Sequence, residues 1–66
     1  MSLKNYKTMD VQLLLGLVNT TLRNDCEDLH DLVKQHNLDL KILEGRLRGI
    51  RQVYMPEINQ FRSDTS

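Results

Sequence analysis

Residues 28–50 read Asp28-Leu-His-Asp-Leu-Val-Lys-Gln-His36, then Asn37-Leu38-Asp39, then Leu40-Lys-Ile-Leu-Glu-Gly-Arg-Leu-Arg-Gly-Ile50. Leu29, Leu32 and Val33 share one side of a first helix, and Leu40, Leu43, Leu47 and Ile50 recur at helical spacing in a second. Between them, Asn37 suits the left-handed residue that stops a helix. Asp39 follows as a cap for the next one, its carboxylate placed to accept from free backbone N–H groups. Leu38 before that cap and Leu43 four residues after it make a hydrophobic staple. Two short helices about a tight turn have the outline of a helix-turn-helix.

On the N-terminal side, Asp10 caps a further helix in which Val11, Leu14, Leu15, Val18 and Leu22 form a core stripe. Leu13 and Leu17 flank that stripe. They either cover the edge of the core or contact another chain. Residues 1–8 read as a flexible leader, with Met1, Ser2 and Leu3 a cloning remnant without structural weight. Gly45 weakens its helix and suits close approach of a neighbour.

On the C-terminal side, Gln52-Val-Tyr-Met55, Pro56-Glu57 and Ile58-Asn-Gln-Phe-Arg62 read as two short strands about a turn. Continuation of the third helix to Tyr54 is the alternative. Residues 63–66 read as a flexible polar tail. The expected fold is mainly α: one small three-helix domain over residues 9–62, with helix-turn-helix-like second and third helices and a short C-terminal β-hairpin.

The chain has 66 residues, nine basic and nine acidic side chains, and one cysteine. A chain this short buries a modest core and is commonly stabilised by disulfides, a metal or a partner chain. Cys26 has no second thiol to pair with, so self-association is expected. One unpaired cysteine, the lack of a signal peptide and the lack of a long apolar run point to a cytoplasmic protein that does not enter membranes. The even charge balance counts against nucleic-acid binding, which usually needs a basic domain.

Two runs near the helices, Met9-Asp10-Val-Gln-Leu-Leu-Leu15 with Val18-Asn19-Thr20 and Leu22-Arg23, and Leu29-His-Asp-Leu32 with Leu38-Asp39, Leu43 and Leu47, carry a resemblance. With the closing Tyr54 and Asn59-Gln60-Phe61, they resemble a family of small uncharacterised bacterial proteins, domain of unknown function 4250. The resemblance spans nearly the whole chain. It departs from the family pattern at Val11, at Glu27-Asp28 and at Gln52-Val53, and it implies no known activity.

No catalytic arrangement emerges from the residues. An enzyme needs a nucleophile with its base, paired carboxylates or a metal cluster. His30 and His36 face different sides of their helix, and Cys26 with His30 supplies two ligands where zinc needs three or four. Cys26 reads as a small buried residue. The acids from Asp25 to Asp31 lack the spacing of a calcium loop and suit the positive end of a helix dipole. The glycines form no phosphate loop. The expectation is a non-catalytic module with no metal, no cofactor and no small-molecule substrate.

Two binding classes remain. A protein-interaction or self-associating domain, with a protein partner or homodimer, would use Leu13, Leu17, Tyr54 and Phe61. A helix-turn-helix DNA-binding regulator would use Lys41, Arg46, Arg48 and Arg51 on the third helix, with Gln52 nearby and Arg62 on a wing. Residues 39–52 carry four basic and two acidic groups, leaving a local balance of +2. Against DNA stand Asn37 where glycine is common, Val33 where a smaller residue lets the helices meet, and four acids at the start of the second helix. Open arginines on one face of the third helix would favour DNA, and arginines paired with acids would favour protein contact.

Overall fold

The computed structural model describes residues 3–64. Three helices run α1 (Val11–Asn24), α2 (Leu29–His36) and α3 (Leu40–Arg48), followed by an antiparallel hairpin of β1 (Gln52–Met55) and β2 (Gln60–Ser63).

Each helix begins at an aspartate. Asp10 accepts from the Leu13 N–H, Asp28 from that of Asp31, and Asp39 from those of Lys41 and Ile42. These carboxylates satisfy donors that have no partner inside the helix. Asn37 adopts the left-handed conformation (φ 55°, ψ 51°) and ends α2, as its amide side chain tolerates.

The core comprises Leu14, Val18 and Leu22 of α1, Leu29 and Leu32 of α2, Leu43 and Leu47 of α3, and Phe61 of β2. The two helices that flank the Asn37 turn each pack more on α1 than on one another. Helix α1 is therefore the platform, and α2 and α3 are laid across it instead of forming a tight pair of their own. The α3 helix ends at Arg48, and half-buried Ile50 lies in the following turn.

The N-terminal segment corrects the expectation of a flexible leader. Leu3 is 4 % and Tyr6 7 % exposed, and both belong to the core. Met1 and Ser2 lie outside the described residues. The segment closes in turns on the carbonyl of Asn5. The Tyr6 hydroxyl accepts from the Asp39 N–H (2.9 Å), and the Tyr6 carbonyl accepts from Arg46 Nη1 (2.6 Å). Both ends of α3 are thus fastened to one residue, Tyr6, that belongs to no periodic pattern. Gly45 is also corrected: a Cβ there would meet nothing within 4 Å, so no neighbour approaches it.

The hairpin forms with a longer turn than expected. Residues 56–59 make the connection, with Asn59 left-handed at φ 54°. Ile58 therefore belongs to the turn, not to a strand. At the other end, Ser63 pairs with Gln52, and the Asp64 N–H donates to the Arg51 carbonyl at 2.7 Å. The expected tail thus begins inside the ladder; its last two residues lie outside the described residues. Among the described residues, no helix is long and apolar enough to cross a membrane.

Candidate functional site

Three side chains from the Val-Asn-Thr and Asn-Gln-Phe runs fasten the hairpin to α1. Asn19 lies on α1 beside the outer edge of β2. Its Nδ2 donates to the Phe61 carbonyl (3.2 Å), and its Oδ1 accepts from the Phe61 N–H (2.7 Å). One amide thus completes both polar groups of Phe61, as a neighbouring strand would. Gln60 Nε2 returns to the Asn19 carbonyl at 2.8 Å.

Asn59 does the same work for the ends of α1 and α2. Its Nδ2 donates to the carbonyls of Leu22 (2.9 Å) and Cys26 (3.2 Å), groups left open where α1 ends. Its Oδ1 accepts from the Tyr54 hydroxyl (2.6 Å), which in turn accepts from the Leu29 N–H (3.3 Å) at the first turn of α2. The Tyr54 and Phe61 rings meet at 5.6 Å, tilted by 54°. These residues hold the fold and leave little polar capacity for a ligand.

That arrangement corrects part of the expected interaction surface. Phe61 is 3 % exposed and belongs to the core, because the inward face of β2 rests on the helices. Tyr54 is half-buried with its hydroxyl engaged twice. Leu13 is 55 % exposed, and Leu17, one turn on, is half-buried against the core. Gly16 lies between them with open space above it. Leu13, Gly16 and Leu17 make a small apolar patch on α1.

The four basic candidates do not form one row. Lys41 and Arg48 are exposed and seven residues apart, so they share a face of α3 with Glu44 between them. Arg46 is turned to the N-terminal segment and bound to the Tyr6 carbonyl. Arg51 lies beyond the helix in a turn, with φ 62°. Lys41, Arg48 and Arg51 make no ion pair among the described residues. Arg48 and Arg51 flank an open cleft with Val53 and Asp64. Neither the open arginine face nor the pairing with acids is complete.

Cys26 is buried at the end of α1, a free thiol. Burial pushes its pKa up, and the carboxylates of Asp31, Asp25 and Asp28 push it further. The thiol is therefore neutral and a poor nucleophile at neutral pH. Iodoacetamide is expected to alkylate it far more slowly than a free cysteine until the chain is unfolded. The unfolded thiol loses its proton near pH ~8.5 while the folded one retains it. Stability that is fully present below that pH therefore declines as pH rises above it. Alkylation rates and denaturant midpoints across roughly pH 7–10, a range that brackets the pKa of an unfolded thiol, measure both effects. Among the described residues, no three His, Cys, Asp or Glu groups converge to hold a metal.

The model of a family described as a domain of unknown function (DUF4250) matches residues 8–61 of the chain. No curated protein and no solved structure matches it.

Proposed function

We propose that this chain, which belongs to the DUF4250 family, is a non-catalytic binding module that acts by contact with another protein. The observation that carries this reading is the solvent-facing patch of Leu13, Gly16 and Leu17 on α1. A leucine left 55 % exposed beside a second apolar residue and an unobstructed glycine is a surface an amphipathic helix or loop can cover. Asn19, Asn59, Gln60, Tyr54, Asp10, Asp28 and Asp39 are instead engaged in the bridges and helix caps.

The second reading, a DNA-binding module, draws on the exposed Lys41, Arg48 and Arg51. It is weakened by the loss of Arg46 to the Tyr6 carbonyl and by a chain with no net charge.

Leu13→Glu tests the first reading. Replacement of an exposed side chain should change stability by less than about 0.5 kcal/mol. With the chain as bait in an extract of its own cells, at least one protein should be retained by the native sequence and reduced about tenfold by the variant, as loss of a central apolar contact would do. Retention of no Leu13-dependent protein, together with salt-sensitive binding of duplex DNA, would overturn it.

A further inference from the structure

The hairpin has one occupied edge and one open edge. Phe61 turns its N–H and C=O outward to Asn19, so its pair with Tyr54 is not hydrogen-bonded within the ladder. The bond from the Asp64 N–H to the Arg51 carbonyl fixes the same alternation independently. Val53–Arg62 and Met55–Gln60 are then the bonded pairs, and Gln52–Ser63 and Tyr54–Phe61 the open ones. Gln52 and Tyr54 therefore direct their N–H and C=O groups away from β2, and these groups meet no partner among the described residues.

Within β1 this edge carries little protection, although Arg51 and Pro56 flank it. β1 reads Gln-Val-Tyr-Met, with no charge and no proline within it. A cleft of about 160 Å³ opens beside it, walled by Glu44 and Arg48 of α3. It lies across the hairpin from α1, which occupies the β2 edge.

The geometry points to antiparallel pairing of β1 with β1 of a second copy of this chain, about a two-fold axis at Val53, to give a four-stranded sheet. That register sets Gln52 opposite the partner's Tyr54 and Tyr54 opposite the partner's Gln52, so both sets of outward groups are satisfied. Val53 meets its own counterpart at the position where side chains on paired strands lie closest. The charges support a second copy as the occupant. Glu44 and Arg48, one helical turn apart, both line the cleft beside the edge, and a two-fold axis reverses their order in the second copy, so that an acid and a base on each side can complement one another. The chain as a whole has no net charge to keep two copies apart. A two-stranded ribbon is marginal alone and gains from further strands.

Pairing at β1 is independent of the α1 patch, and one set of experiments separates the two. Sedimentation equilibrium of the full chain should show a dimer. Val53→Lys and Val53→Glu should each weaken it by about tenfold or more, because like charges then face each other across the axis, and an equimolar mixture should restore association. Leu13→Glu should leave the dimer unchanged. Amide exchange of the native chain gives a readout that needs no variant: the Gln52 and Tyr54 N–H groups should become protected as concentration rises. A monomer at all concentrations, a dimer indifferent to both Val53 variants, a dimer lost in Leu13→Glu, or concentration-independent exchange at Gln52 and Tyr54 would each overturn the inference.

Discussion

Asn59→Ala is expected to lower the stability of the domain by about 3 kcal/mol, a large share of the roughly 3–10 kcal/mol available to a chain of this size. The variant loses three bonds at once, to Tyr54, Leu22 and Cys26. Groups left unsatisfied in a partly buried setting each cost about 1–3 kcal/mol, reduced where water re-enters. Alanine also bears the cost of φ 54°, a conformation asparagine tolerates better. At about 4–8 °C per kcal/mol for a small domain, the Tm should fall by roughly 12–24 °C. Asn59→Gly accommodates the backbone but not the bonds, so its loss should be smaller by about 1 kcal/mol. Asn59→Asp keeps an acceptor for Tyr54 yet turns a carboxylate toward two carbonyls, and should be no better than alanine. A Tm change below about 3 °C for Asn59→Ala would mean that the bridge holds nothing.

Tyr6→Ala should be comparably severe, at about 3–5 kcal/mol, the usual cost of truncating a buried aromatic side chain. Tyr6 is 7 % exposed, and its hydroxyl holds the Asp39 N–H at the start of α3. Tyr6→Phe isolates the hydroxyl and should cost only about 1 kcal/mol. Removal of residues 1–8 should match or exceed Tyr6→Ala in a thermal melt, since Leu3 leaves the core as well. An unchanged Tm after that deletion would contradict the docking of this segment on α3.

The local features of the fold are legible in the sequence alone. Asp10, Asn37 and Asp39 act within four residues of themselves, and each does what its residue type favours. The leucine stripes of α1 and α3 follow from helical period. Contacts between distant residues are not legible. Tyr6 and Arg46 are 40 residues apart, and nothing in the spacing near either one announces the other. Leu3 and Tyr6 are isolated apolar residues, so periodicity gives no sign of their burial. The turn runs two residues past its expected end because Asn59 leaves the strand to reach Leu22, 37 residues earlier. Strand alternation separates Phe61 from Gln60 and Arg62 but does not say which side faces the helices, so it leaves Phe61 open to a surface role that its burial excludes. Val-Asn-Thr and Asn-Gln-Phe stand out as unusual runs, and their pairing through Asn19, Gln60 and Asn59 accounts for them.

The proposed role follows from what those bridges leave over. With Asn19, Asn59, Gln60, Tyr54 and Arg46 occupied, the features open to a partner include the Leu13 patch, the β1 edge and the exposed Lys41, Arg48 and Arg51. Two of these suit protein and one suits phosphate.

Sedimentation velocity decides between them most directly, with the native chain run over a range of concentrations, alone and with short duplex DNA at low salt. A binding module that works by protein contact should leave the DNA sedimenting as free duplex at every concentration, and pairing of its β1 edges should add self-association as concentration rises. A monomer that co-sediments with DNA at low salt and releases it as salt is raised, the signature of phosphate neutralisation, would contradict it.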